Sequence, residues 1–89
     1  MNPEIKFKNS QEFLDIAAKV KKINNTIKIS DQLHLYGLYK QAVIGDVNTI
    51  IPSIFEVIKR KKWVSWNFFK GMSNSSAESA YINYYLNLP

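Results

Sequence analysis

The chain has no cysteine. That excludes a disulfide framework, a thiolate zinc site and a cysteine nucleophile. Its only histidine is His34, so no mechanism that needs a histidine pair is available. Glycine and proline are scarce, three of each. There is accordingly no Gly-rich phosphate loop, no flexible linker and no internal repeat. No apolar run approaches the roughly 18 residues needed to cross a bilayer. Met1 to Lys8 alternates polar and apolar residues and lacks the apolar core of a signal peptide. Acids are few and scattered, and no carboxylate pair lies near His34 or at i, i+4. No nucleophile, base and orienting group can be assembled, so the expectation is a non-enzyme. With 89 residues, one soluble intracellular domain spanning 1–89 is expected, stabilised mainly by helix packing.

What is present is apolar and basic. Hydrophobic residues are 46% and aromatics 13% of the chain, which excludes a disordered chain. Twelve Lys+Arg against seven Asp+Glu give +5, the balance of a protein that meets something anionic. The charge is uneven. Lys6, Lys8, Lys19, Lys21, Lys22 and Lys28 fall early, Lys59-Arg60-Lys61-Lys62 run together, and after Gly71 only Glu78 is charged.

Helical periodicity organises the chain. The first helix is predicted over Ser10 to Asn24, with Asn9 as N-cap and Glu12 completing a capping box. Phe13, Ile16, Ala17 and Val20 form its apolar stripe, and Asn24-Asn25 stops it. The second runs from Ser30-Asp31 to Gly45 with Leu35, Leu38 and Ala42 inward. The third spans Lys59 to Lys70, carries Trp63, Trp66 and Phe69, and is capped by Gly71. The fourth starts between Ser73 and Ser76; a late start would let Ser75 and Glu78 form a capping box. Its stripe is Ala77, Ala80, Tyr81, Tyr84 and Leu88. No strand is predicted. The connection from Asp46 to Ile58 is long for a helix link and rich in isoleucine. It is expected to lie against the core, with Pro52 starting a short turn. Four helices with one long link suggest a small bundle with an overhand connection.

Tyr36, Tyr39 and Lys40 share one flank of the second helix at i, i+3, i+4. Two readings stay open: half-buried packing residues beside a solvated lysine, or a nucleotide site. In the second, a ring stacks on a base for roughly 1–3 kcal/mol and lysine pairs with phosphate for roughly 1.5–3 kcal/mol. The Lys59 to Lys62 run points in four directions around a helix, so most of it is expected to be solvated, with Lys62 at the edge of the core. His34 is expected to be exposed. Asp46 and Asn48 read as turn residues. Charge alone also allows a small basic helical nucleic-acid or protein interaction module, with steeply salt-dependent binding.

Three strings in order resemble one family. Leu35-Tyr36-Gly37-Leu38-Tyr39-Lys40-Gln41-Ala42-Val43-Ile44-Gly45-Asp46-Val47-Asn48-Thr49, followed by Pro52, resembles the Y-x-x-Y-K-Q-A-x-x-G-D-x-N signature of acyl-CoA-binding proteins. Lys62-Trp63-Val64-Ser65-Trp66-Asn67 with Lys70-Gly71 is similar to that family's K-W-x-x-W-x-x-x-K-G. Ala80-Tyr81-Ile82 is similar to its A-Y-I. The spacing agrees without gaps from about Phe13 to Leu86.

The resemblance implies an all-α, up-down-down-up four-helix bundle with a long loop between helices 2 and 3. It implies non-catalytic intracellular binding and transport of medium- to long-chain fatty acyl-CoA esters, maintaining an acyl-CoA pool in the cytoplasm. It further implies a monomer with no cofactor, metal or nucleic acid, transient hand-over to acyl-CoA-using enzymes, and at most peripheral membrane contact. By resemblance, Tyr36 belongs to the site, Tyr39 lies against adenine, and Lys40 with Lys62 holds the ribose 3′-phosphate. Tyr81 contacts the CoA part and Lys21 borders the head group. Phe13, Ile16 and Ala17 line the acyl groove. The sequence departs from the family at Ile50-Ile51, where charge is common, and at Ile58, which replaces a frequent lysine. Lys59, Arg60 and Lys61 stand where glycine and alanine are usual. Two consequences are open: a repacked loop, or a surface for another molecule.

Overall fold

The first and fourth helices begin where a serine hydroxyl accepts from a first-turn amide. Ser10 is extended and its Oγ accepts from Phe13 N at 3.1 Å, which starts α1, Gln11–Ile23. The cap is therefore Ser10 and not Asn9. Asn9 works at longer range: its Nδ2 donates to Ala42 O at 3.1 Å and to Glu78 Oε2 at 3.0 Å. The Asn24-Asn25 stop is present as a 3-10 turn, Asn24–Thr26. α2, Ile29–Val43, has no side-chain cap, but Asp31 in its first turn suits the helix dipole. α3 is Val57–Phe68 and α4 is Asn74–Leu86. Ser73 Oγ accepts from Ser76 N at 3.0 Å, so the Ser75–Glu78 box does not form. Glu78 instead accepts across the bundle from Asn9 and from Ser10 N at 2.9 Å. The computed structural model describes residues 7–89, so Pro3 and most of the alternating N-terminal stretch lie outside the described residues. Among the described residues there is no strand.

Contacts between helices fix their directions. Asn9 meets Ala42 and Asn24 meets Gln32, so α1 and α2 run antiparallel. Lys62 lies over Tyr36 and Lys40 over Trp66; these numbers rise together, so α2 and α3 run parallel. Asn74 meets Ala42 and Tyr84 meets Asp31, so α4 opposes α2. The result is the up-down-down-up order. α2 is central, packed on both α3 and α4. Phe13, Leu35, Leu38 and Ala42, all predicted inward, form the core with Ile16, Val20, Ala77 and Tyr81. Burying a side chain the size of Phe13, at 0% exposure, contributes roughly 1.5–3 kcal/mol.

Two further expectations fail. His34 is half-buried rather than exposed: it stacks on Tyr84 at 4.2 Å and meets the edge of Phe69 at 5.1 Å. Burial lowers its pKa, with Asp31 pulling the other way. The long connection does not lie its isoleucines on the core. Ile50 is 92% exposed and Phe55 87%, and Ile54 and Ile58 are also exposed. What binds this segment to the bundle is polar. Trp66 Nε1 donates to Gly45 O at 2.7 Å, Trp63 Nε1 to Thr49 O at 2.9 Å, and Arg60 Nη1 to Pro52 O at 2.8 Å. The turn follows Pro52, closed by Glu56 N donating to Ser53 O at 3.0 Å.

α2 and α3 approach closely at Gly37. A Cβ there would collide with the Ser65 carbonyl and come within 2.8 Å of Phe69 Cε2. The Ser65 hydroxyl donates to Leu33 O at the same crossing. Gly37→Ala is expected to cost about 1–3 kcal/mol by forcing the helices apart. A thermal melt should show Tm lowered by more than about 5 °C; an unchanged Tm refutes the close approach.

Glu78 generates a second expectation. Burial pushes its carboxyl up, but hydrogen bonds from the Asn9 amide and from the Ser10 amide and hydroxyl outweigh it, holding the group below its ordinary 4.5. Asp46 is held below 3.8, first by Gly71 N–H and then by Gln41. A depressed carboxylate stabilises the fold above its unfolded value, and that stability is lost as pH falls through the folded value. Chemical denaturation from pH 7 to pH 2 should show stability declining below 4.5, and Glu78→Gln should flatten that decline.

Candidate functional site

A groove of about 440 Å³ opens between α1, α2 and α4. Its α1 wall holds Leu14, Ala17 and Lys21; its α2 wall holds Leu35, Tyr36 and Tyr39; α4 supplies Tyr81. Helical spacing produces this convergence. Ala17 and Lys21 are one turn apart on α1, and Tyr36 and Tyr39 are three apart on α2. Of the residues expected in the site, the groove brings together Ala17, Lys21, Tyr36, Tyr39 and Tyr81. Phe13 and Ile16, expected along the acyl groove, are buried in the core and are not among the residues that line this groove.

An aromatic floor sets the rings. Phe13 stacks on Tyr39 with centroids 5.8 Å apart and planes at 19°, and meets Tyr81 edge-on at 5.0 Å. Tyr39 and Tyr81 lie 6.2 Å apart. Phe13 thus acts from the core, holding both tyrosines in place. Tyr39 is more than a third exposed, so one side of its ring is packed while part of it meets solvent. Tyr81 is buried, and that burial, with Tyr39 nearby, pushes its phenol up to about 12. Burial also raises the Tyr36 phenol. The Tyr36 and Tyr81 hydroxyls therefore keep their protons at neutral pH.

The lysines are held by rings instead of acids. Lys62 Nζ sits 5.4 Å from the Tyr36 ring centroid, which puts a cation from α3 beside a groove residue. Lys40 Nζ is 4.7 Å from the Trp66 ring centroid, one turn along α2 from Tyr36. A ring attracts an exposed cation by about 0.5–1 kcal/mol, enough to bias its position without neutralising it. Among the described residues the one ion pair is Lys59–Glu56 at 3.5 Å. Lys21, Lys40 and Lys62 therefore present charge with no carboxylate partner there. An apolar trough, tyrosine rings of which Tyr39 meets solvent, and three such cations suit a ligand that joins an aromatic base and phosphates to an apolar tail.

One residue of the second-helix signature had no role in the sequence reading. Gln41 is fully buried; its Nε2 donates to Asp46 Oδ1 at 2.9 Å and to Met72 O at 2.8 Å. Asp46 also accepts from Gly71 N at 2.7 Å. It is thus a turn residue that ties two turns together, and its spacing from Gln41 was the available signal.

The profile of the acyl CoA binding protein family matches residues 10–85. An acyl-CoA-binding protein of Brassica napus is 43% identical over 72 residues, covering 81% of this chain and 78% of its own length. Acyl-CoA-binding domain-containing protein 3 of rice is 46% identical over 72 residues, covering 81% of this chain. The match spans 46% of that rice protein's length. The crystal structure of Oryza sativa acyl-CoA-binding protein 2 superposes with a TM-score of 0.82 at 42% identity, over 88% of this chain and 87% of that one. The solution structure of the Babesia bovis acyl CoA binding protein gives a TM-score of 0.67 at 35% identity, over 88% and 93%.

The ring environments make a direct test of this geometry. Tyr81, by burial, and Tyr84, whose hydroxyl donates to Asp31 Oδ1 at 2.5 Å, are both raised to about 12. Alkaline titration followed by phenolate absorbance should show two late phenols, and Tyr81→Phe should remove one of them. Because the unfolded chain ionises these groups first, near 10, stability should fall as pH rises from there towards 12. Joint ionisation of all five tyrosines near pH 10 would contradict the packing.

Proposed function

The chain belongs to the acyl-CoA-binding protein family, and from that membership we propose that it binds medium- to long-chain fatty acyl-CoA esters in the groove between α1, α2 and α4. The observation that carries this reading is an apolar trough bordered by tyrosine rings, with Lys21 in its wall, Lys62 against its Tyr36 and Lys40 one turn along α2 from Tyr36, all without ion-pair partners among the described residues. The exposed part of the Tyr39 ring receives the adenine. Lys40 and Lys62 hold the ribose 3′-phosphate, leaving their ring partners for a stronger charge-assisted contact. Lys21 borders the head group, and Tyr36 and Tyr81 pack against the CoA moiety. The acyl chain runs along the α1 wall at Ala17. Each buried methylene contributes up to about 0.8 kcal/mol, offset in part by ordering the chain.

Binding of this kind needs neither a cofactor nor a reaction. The protein acts as a monomeric cytoplasmic carrier that maintains an acyl-CoA pool, shields the thioester and releases its ligand to acyl-CoA-using enzymes. No helix among the described residues is long and apolar enough to cross a membrane. The nucleic-acid alternative loses its support because the basic run does not form one patch. Lys59 pairs with Glu56, Arg60 reaches the Pro52 carbonyl and Lys62 turns to Tyr36.

Calorimetric titration with palmitoyl-CoA tests the reading. Lys40→Met and Lys62→Met should each weaken binding by about 10- to 100-fold, the loss of one charge-assisted contact. Tyr39→Ala should cost a similar factor through lost stacking. Wild-type affinity no greater than that of these variants would overturn the assignment.

A further inference from the structure

The groove between α1, α2 and α4 changes character along its length. α1 and α2 run antiparallel beside it, with Phe13 stacked on Tyr39 at one end and Asn24 bonded to Gln32 at the other. Leu14 and Asn24, both in its lining, are ten residues apart, roughly 15 Å along a helix. The rings of Tyr39 and Tyr81 border the first end, Ala17, Ala18 and Leu35 the middle, and Lys21, Asn24 and Gln32 the second end.

The second end is polar, and its polar groups are fixed in place. Gln32 Nε2 donates to Ile27 O at 2.9 Å, and Gln32 Oε1 accepts from Asn24 Nδ2 at 3.2 Å. Asn24 is the C-cap of α1 and Gln32 lies in the first turn of α2, so the pair ties one helix to the next and both carboxamides are oriented before a ligand arrives. A carboxamide offers two N–H donors and an oxygen with two lone pairs. The bonds above use one N–H of each residue and one lone pair of Gln32, and Asn24 Oδ1 accepts from no donor among the described residues. An alkyl chain laid against this end would strip water from these groups and return no bond. An amide returns both: its N–H meets the Asn24 oxygen, and its carbonyl accepts a spare N–H. Lys21, one turn before Asn24, lines the same end and has no ion-pair partner among the described residues. A cation that leads into neutral carboxamides matches a ligand whose phosphates lead into an amide-bearing arm. In CoA, the arm between the diphosphate and the sulfur carries a pair of amides.

We propose that Asn24 and Gln32 are specificity-determining residues that hold the amides of this arm. This assignment, which rests on the acyl-CoA reading above, gives the ligand a direction. The arm takes the polar end, and the acyl chain turns back along Ala17, Ala18 and Leu35.

Calorimetric titration of the full chain with adenosine 3′,5′-bisphosphate, CoA and palmitoyl-CoA provides the test, because the first lacks the arm and the second lacks only the acyl chain. Gln32→Met, which keeps the side-chain length, and Asn24→Ala should each weaken CoA and palmitoyl-CoA by a similar factor of about 3- to 10-fold, the loss of one neutral hydrogen bond. Binding of the bisphosphate should stay at the wild-type level in both variants. In the wild type, the side-chain amide resonances of Asn24 and Gln32 should move on addition of CoA and stay in place with the bisphosphate, a readout that requires no substitution. A loss on all three ligands would reduce the pair to a structural tie between α1 and α2 and overturns the proposal. So does a loss confined to palmitoyl-CoA, which would assign the pair to the acyl chain, and so do unchanged affinities. In each of these cases the wild type still binds palmitoyl-CoA. A wild type that binds none of the three would overturn the acyl-CoA reading itself, and this assignment with it.

Discussion

The carbonyls at the C-terminal end of α2 are the constraint on which the bundle depends. A helix leaves its last carbonyls without partners, and here the other helices supply them. Asn9, before α1, donates to Ala42 O. Asn74, at the start of α4, donates to both Gln41 O and Ala42 O at 3.1 Å. Trp66 of α3 donates to Gly45 O just beyond. Inside this ring of donors, Gln41 joins Asp46 to Met72 O, and Asp46 holds the Gly71 amide. Four chain segments distant in sequence thus share one polar knot, worth more than its separate hydrogen bonds because each buried group would be costly to leave unpaired.

The site follows from the same arrangement. With the helix ends pinned, α2 and α3 run parallel and touch at Gly37, where only a hydrogen fits against the Ser65 carbonyl. That contact sets the register that brings Lys62 to Tyr36 and Lys40 to Trp66. On the other side of α2, Phe13 fills the core and fixes the angle of Tyr39 and Tyr81. The proposed binding residues are therefore carried on helices and held by buried neighbours, which gives a preorganised surface.

Periodicity made most of this legible. The stripes of α1, α2 and α4 were readable because burial repeats every three or four residues, and Leu35, Leu38, Ala42, Ala77 and Tyr81 are buried as their spacing indicates. The site was legible only through the ordered motifs, since spacing alone left Tyr36, Tyr39 and Lys40 between packing and binding. Polar roles that depend on distant partners were not legible. Asn9 and Glu78 both look like local capping residues, yet they bond to each other across the bundle. His34 looks like a surface residue until the rings of Tyr84 and Phe69 are placed around it. Phe13 and Ile16 could be assigned to the α1 stripe, but the depth that separates core from groove wall has no local signature. The isoleucine-rich connection misleads for a related reason: hydrophobicity indicates a preference for burial but not whether room exists beneath the segment.

The three side chains that fasten this connection all end on main-chain carbonyls, those of Gly45, Thr49 and Pro52. A carbonyl is common to every residue type, so the fastening reads the path of the chain and not its lettering. Such a segment can exchange its outward side chains through evolution while its length stays locked to the positions of Trp66, Trp63 and Arg60 on α3. An insertion between two fasteners would have to bulge outward or break one, whereas replacing several letters in place leaves all three intact. The fold thereby contains a stretch of fixed length and free composition, where a new surface property can arise without disturbing the bundle that carries it.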